Sequence, residues 1–399
     1  MPQTQAQRSW PRRLAMTSVF AASGIGFGAW AGNIPRLREA AGLDDASLGL
    51  VLFCVSLGAV LAMRLVGRLA GRVGTARACG ISAACLVVAL PLPALAPDWP
   101  VLLASGLLLG LAHGGLDVSM NAHAAEVERA WGSAIMSSFH AGWSLGQLAG
   151  AAAAGMLARA GASLSVTLAI SAGAVACFGL AALGLREGPP VPSERQRMAW
   201  PRRAMLGICA IAALSFAIEG GTSEWCGVYL RTVLGAPAAL ASTGLAAFAA
   251  AMVACRLCGD RLVRRLGPVR VIQSGAALTG IGLLGAILSP SVAAASASFA
   301  LVGLGVANTI PVLFSAAGRN GAAGVAVMAT AGYGAIMGAP PLIGFVANAV
   351  GLHWALLLLV AGAGAVALLA RTIRPAPRRS ASPAAPDACS APGAALRNR

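Results

Sequence analysis

RLAGRVGTAR, residues 68–77, and RLVRRLGPVR, residues 261–270, share the pattern RLxxRxGxxR. Each is flanked on both sides by apolar runs of membrane-crossing length. Self-similarity at this separation means that the chain is built twice from one plan. Gly74 and Gly267 occupy the same place in the two copies and permit a tight turn. Arg68, Arg72 and Arg77, with Arg261, Arg265 and Arg270, can anchor at headgroups, cap helix ends or pair across a bundle. A simple excess of charge on one face of the membrane explains these arginines but not their common spacing.

Working outward from the repeats, 58% of the 399 residues are hydrophobic and only 11% charged, too apolar for a soluble domain. A bilayer core takes about 20 apolar residues per helix. The chain offers twelve such spans, at 14–33, 46–66, 78–96, 101–124, 134–158, 163–184, 204–228, 238–257, 270–289, 292–316, 324–347 and 353–372. They are read as helices, because a lone strand leaves its backbone unsatisfied in lipid and the alternation of a membrane barrel is absent. The polar segment LREGPPVPSERQRMAWPRR, 185–203, divides them six and six. The expected organisation is a tail at 1–13, a six-helix bundle at 14–184, a linker at 185–203, a second bundle at 204–373 and a disordered tail at 374–399.

The net charge of +16 does not point to nucleic acid. All 29 basic residues are arginine, and on this span reading 25 fall on the face that carries both termini. Only Arg36, Arg38, Arg159 and Arg231 fall on the other. That asymmetry places both termini in the cytoplasm of a bacterial-type inner membrane. Arg12 and Arg13 before an apolar run ending in Ala29-Trp30-Ala31 could pass for a signal peptide, but removing this span would break the even count that keeps the arginines inside. The absence of lysine excludes a P-loop lysine and a lysine Schiff base. There is no HExxH, and the single CxxC, Cys255 with Cys258, has no second pair to complete a metal site. No cofactor or enzymatic activity is expected.

Twelve spans, a central loop and this loop motif after spans 2 and 8 resemble the major facilitator superfamily over nearly the whole chain. DVSMN (117–121), MSSFHAGWSLGQLAGA (136–151), EGGTSEW (219–225), ANTIPVLFSAAGR (307–319) and GYGAIMGAPPLIG (332–344) are similar to its fucose-permease-like branch, which includes rhizopine-type permeases. The resemblance implies an all-α membrane protein of two six-helix bundles, a gating role for the two arginine loops, and alternating access around a site near the midplane. It implies proton-coupled uptake of a small polar solute (a sugar, polyol or inosamine-like compound), by a chain expected to act as a monomer. Gly71 and Arg264 stand where the superfamily's loop carries an aspartate. Efflux by antiport is the alternative, but span 5 lacks the Gly-Pro pair that antiporters of the superfamily favour.

An ionisable residue within a span costs about 2.5 to 3.5 kcal/mol on insertion scales and is a functional candidate by default. Asp117, Glu219 and Glu224 qualify. His113, Asp117 and Asn121 recur at four-residue intervals and share one face of span 4. Desolvation favours the neutral form of a carboxyl, as a reversible proton carrier requires. The branch carries an acid followed four residues later by asparagine in this helix, so the resemblance assigns proton coupling to Asp117. The branch's second acid, in span 1, has no counterpart; Asn33 is the nearest polar group. If spans 4 and 5 pack antiparallel around a turn near 130, His140 comes level with Asn121, and Asp117, Asn121 and His140 would form either a proton relay or a polar joint between helices. His113 is a weaker candidate and His123 is expected at the interface.

Glu219 should lie about 24 Å from the terminal face and Asp117 about 27 Å from the opposite one, on opposite sides of the midplane. Glu219 is therefore read as a substrate or gate residue, or as a buried helix contact. Glu224 and Trp225 are expected near the outer interface. Asn308, Thr309, Ser144, Gln147 and Tyr333 are candidate polar contacts, with Trp30 and Trp143 as stacking platforms. Gly142, Gly146 and Gly150, and Gly334 with Gly338, suit close helix packing, and Pro340-Pro341 is expected to break span 11.

Overall fold

The computed structural model describes residues 9–132, 135–186, 203–318 and 321–373. Most of the expected linker, the tail at 374–399 and Arg319 lie outside them. The described chain is helical: α1 (Trp10–Ala40), α2 (Asp45–Val73), α3 (Thr75–Ala89), α4 (Trp99–Trp131), α5 (Met136–Arg159) and α6 (Leu164–Gly179) form the first half. The second is α7 (Arg203–Thr232), α8 (Thr243–Leu266), α9 (Pro268–Leu288), α10 (Val292–Val306 and Thr309–Gly318), α11 (Gly321–Val350) and α12 (Leu357–Leu369). Helix starts are set by local polar caps. Asp44 accepts the amide of Ser47 at 2.7 Å and Asp98 that of Val101 at 3.0 Å, satisfying donors that a first turn leaves open.

The repeat that opened the sequence is where α2 meets α3 and α8 meets α9. Gly74 sits at φ 93° and ψ 160°, Gly267 at φ 80° and ψ 160°, a region essentially reserved for glycine. The next helix begins at once, at Thr75 and at Pro268. Packing repeats as well. In the first half α1 packs on α5 and α6, α2 on α4, and α3 on α4 and α6. In the second, α7 packs on α11 and α12, α8 on α10, and α9 on α10 and α12, each pairing shifted by six helices.

Small residues set how closely these pairs approach. A side chain on Gly24 or Gly28 of α1 would run into the α5 backbone at Trp143 and Gln147, and one on Gly146 into Ala21. Lipid supplies no hydrophobic drive between helices, so such close contacts carry the association. Gly334 and Gly338 behave differently from the expectation: nothing lies within 4 Å of a side chain built there. Pro340 and Pro341 do not break α11 either, which runs uninterrupted to Val350. Span 10 is interrupted instead, at Ala307-Asn308, and spans 8 and 12 are interrupted near their far-face ends, at Ser242 and Leu356.

Among the described residues, eleven of the twelve spans, counted with the short turns that extend helices such as α3, α6 and α12, are long and apolar enough to cross a membrane. α5 is the exception, because Ser138, His140, Ser144 and Gln147 dilute it. It packs between α1 of its own half and α8 of the other, so lipid does not have to solvate its polar stripe.

Among the described residues the halves are joined mainly by α2 with α11, α1 with α7, and α5 with α8. On the face opposite the termini these joints are tight. A side chain on Gly344 would come within 2.9 Å of the Gly49 Cα, one on Gly227 within 3.1 Å of Pro35, and one on Gly155 within 2.6 Å of the Ser242 hydroxyl. Arg231 also pairs with Glu39 across this face. On one stripe of α5, Gln147 and Ser144 are 1% and 0% exposed, whereas His140, one turn further on, is exposed.

Candidate functional site

Between the halves lies a cavity of about 250 Å³, walled by α1, α2, α4, α5, α7, α10 and α11. Drug-sized ligands occupy roughly 300–1,000 Å³, so this space suits a smaller solute. Its walls are aromatic and acidic. Phe27, Trp30, Trp143, Phe216 and Tyr333 supply rings, and Asp117, Glu219 and Glu224 supply carboxyls, with His113 and Gln147 beside them. Among the described residues, no arginine lines it.

Asp117 is held from both halves. The Asn121 amide donates to its Oδ1 at 3.1 Å, as the four-residue spacing on α4 allows. The Tyr333 hydroxyl, from α11, donates to Oδ2 at 3.1 Å. His113 stands one turn away in the same wall, its Nε2 3.4 Å from the Ser23 hydroxyl of α1. These donors replace the hydrogen bonds that water would give the carboxylate. Among the described residues, no arginine forms an ion pair with Asp117.

Glu219 is held differently. Arg256 of α8 donates from Nη2 to Glu219 Oε1 at 3.4 Å, from Nη1 to the Ser144 hydroxyl of α5 at 2.8 Å, and from Nε to the Ala307 carbonyl at 3.3 Å. That carbonyl is at the break in α10, so the guanidinium serves a group the interrupted helix leaves open. Arg256 lies thirteen residues into α8, about 20 Å from its start. On the span bounds 238–257 Arg256 stands next to the end, beside the arginine-rich loop, whereas α8 continues to Leu266.

Other candidates fall on and off this wall. Trp30, Trp143 and Gln147 line the cavity as expected, and the Trp30 Nε1, Gln147 Oε1, Glu219 Oε2 and Glu224 Oε2 atoms are buried with no hydrogen-bond partner among the described residues. Asn308 faces away from it: the side-chain amide donates to Cys255 Sγ at 3.2 Å. Thr309 is buried at the α9 joint. Ser144 meets Arg256 instead of the cavity.

His140 packs edge-on against Phe20, with ring centroids 5.3 Å apart, and does not join the Asp117 hydrogen bonds. The reason is that α5 packs on α1, while α4 packs on α2 and α3, so levels on spans 4 and 5 do not translate into contacts. The remaining candidates are placed as follows. Trp225 is fully buried and Glu224 lines the cavity, so neither belongs to an interfacial belt. His123 is 1% exposed and its Nδ1 lies 2.8 Å from the Thr75 hydroxyl, at the start of α3. Asp117 and Glu219, assigned to opposite sides of the midplane, face one cavity. The six loop arginines of the repeats are all exposed.

Comparison with known proteins agrees with this architecture. The family model of the Major Facilitator Superfamily matches residues 16–329. An uncharacterized MFS-type transporter of Yersinia pestis is 36% identical over 379 residues, covering 93% of this chain and 96% of that protein. The membrane protein MosC of Rhizobium meliloti is 34% identical over 361 residues, 88% of each chain. Among solved structures, a mutant of the nucleoside transporter NupG superposes with a TM-score of 0.71 at 17% identity, over 91% of this chain and 98% of that one. A bacterial homolog of the human lysosomal transporter Spinster, in an inward-facing and occupied conformation, gives 0.68 at 16%, with the same coverage. The chain is thus a multi-pass membrane transporter and belongs to the Major Facilitator Superfamily.

Proposed function

We propose that the protein carries a small polar solute, a sugar, polyol or inosamine-like compound, into the cytoplasm across a bacterial inner membrane, driven by protons that bind Asp117. The observation that carries this reading is the Asp117 carboxyl itself. It faces the central cavity, is held by Asn121 and Tyr333, has His113 one turn away, and has no arginine partner among the described residues, so a proton, on the carboxyl or on the neighbouring imidazole, is the charge compensation open to it. Aromatic faces and unpaired polar atoms together suit a polyhydroxylated solute, whose apolar ring faces stack while its hydroxyls bond. With the arginine-rich face in the cytoplasm, the conformation described is inward-facing.

In this scheme a proton and the solute enter together when the far face is open. The loaded halves rock, and the cavity opens to the cytoplasm. There the Tyr333 hydroxyl and the Asn121 amide stand ready to receive the carboxylate once its proton leaves. The orphaned polar atoms lose the solute's hydrogen bonds and are hydrated as it departs.

The test is uptake by proteoliposomes given an imposed pH gradient, acid outside, and a labelled panel of sugars, polyols, inosamines and cationic drugs. One class of polar solute should accumulate above its external concentration, and a protonophore should abolish the gain. Accumulation that ignores the protonophore removes proton coupling, and expulsion of solute from preloaded vesicles favours antiport.

A further inference from the structure

Among the described residues three carboxyls face the cavity, and of these only Glu219 has an arginine partner, Arg256 at 3.4 Å. Arginine does not give up its proton in a protein, so a guanidinium at this depth must be compensated by an anion. Its other two partners, the Ser144 hydroxyl and the Ala307 carbonyl, are neutral. Glu219 is the anion available.

We propose that Arg256 is the fixed counter-ion of Glu219, removing that carboxylate from the proton count and tying its charge to the α5–α8 joint through Ser144. The inference rests on the reading of Asp117 as the proton carrier and adds how the second acid is kept out of that role. Asp117 needs a mobile charge because its hydrogen-bond partners, Asn121 and Tyr333, are neutral donors and its neighbour His113 carries charge only when it has itself taken up a proton. Glu219 already has a permanent one. Glu224, five residues along the same helix, faces the cavity with no ion pair among the described residues and remains a carboxyl that a proton or a positively charged group of the solute must neutralise.

The arrangement also spans the halves. Arg256 and Glu219 belong to the second half, and Ser144 to the first. Any change that drew Glu219 away would loosen the grip of Arg256 on α5 as well. The titratable groups that share this environment are His113 and Asp117 on α4, Tyr333 on α11, Glu224 on α7, and His140 on α5, which lies within electrostatic reach of Arg256.

The experiment reads protonated carboxyls directly and needs no solute. Infrared difference spectra of the purified, lipid-reconstituted protein are recorded through an acid-to-alkaline titration, following the carbonyl stretch of neutral carboxylic acids. Wild type and Arg256→Lys, which keeps the charge, should show the same titrating groups, and Glu219→Gln should remove none of them. Arg256→Gln should gain one titrating carboxyl, which Arg256→Gln combined with Glu219→Gln should lose again. A titrating band in wild type that Glu219→Gln removes, or no gain in a folded Arg256→Gln, would overturn the proposal. Should Arg256→Gln fail to fold, the comparison of wild type with Glu219→Gln still decides. Asp117→Asn separates the two ideas: if it removes no titrating band, the proton-carrier reading of Asp117 falls while that of Arg256 is judged on its own spectra.

Discussion

Replacing Gly344 by valine should push the protein out of the conformation described here. A side chain at Gly344 would meet Asp45 O at 2.5 Å, Gly49 Cα at 2.9 Å and Gly49 N at 3.3 Å. All three are backbone atoms of α2, so no side-chain rotation can make room. Ordinary contacts lie at about 3.5–4.0 Å, so the helices would have to separate by roughly an ångström. Forcing extra carbon into a close-packed joint costs about 1–3 kcal/mol. This joint exists only while the far face is closed, so the whole penalty falls on one of the two states, and at 1.4 kcal/mol per tenfold the closed-to-open ratio should drop by about 5- to 150-fold. Spin labels at Ala41 and Val350, both exposed on that face, would report it. The variant should show a longer distance population that is minor in wild type. An unchanged distance distribution in folded Gly344→Val would refute the idea that this contact closes the far face.

Gly146→Val tests a joint inside one half, where α5 meets Ala21 of α1. It should lower thermal stability and membrane level by a cost of about 1–3 kcal/mol without shifting the distance distribution, since α1 and α5 stay together in both states. Asp44, outside the span, has its carboxyl held below the usual carboxylate range by hydrogen bonds from Ser47. A lowered folded pKa gives stability that is present above the unfolded value and lost as pH falls through the folded one. Asp44→Ala should therefore melt lower than wild type near neutrality, with the two curves converging in strong acid; a constant gap at all pH values would contradict the cap. Topology reporters provide a fourth check: a fusion after Arg374 should be active only in its cytoplasmic form and one near Asp98 only in its exported form, and the reverse pattern would invert the orientation.

Much of the architecture was legible because lipid makes the rules severe. Apolar runs had to be helices, arginine had to sort by face, and the RLxxRxG repeat carried a glycine whose backbone only glycine adopts. The cavity wall was partly legible for the same reason, since Asp117, Glu219, Trp30, Trp143, Gln147 and Tyr333 are costly or bulky groups within spans. What the sequence could not supply was which helices are neighbours. The link between Tyr333 and Asp117 joins residues 216 positions apart across the two halves. Misplacing α5 beside α4 brought His140 to Asp117, and in the folded chain α1 occupies that place. Arg256 was hidden by company, four more arginines following it within fourteen residues. The detectable signal was its position one residue after Cys255 in an otherwise apolar run, ahead of the repeat proper. Glu224 and Trp225 were placed by depth alone, which cannot distinguish a lipid-facing position from one at a bundle seam.

The central claim is that the Asp117 carboxyl binds the coupling proton, and Asp117→Asn measures it most directly. Asparagine keeps the size and mimics the protonated form, so the loaded carrier can still rock while net proton release is lost. In reconstituted vesicles, with the solute identified by the labelled panel, the variant should exchange labelled for unlabelled solute at a rate near that of wild type yet fail to accumulate it under a pH gradient. Uphill accumulation by Asp117→Asn with a normal pH dependence would contradict the account and move the coupling role to another carboxyl of the cavity.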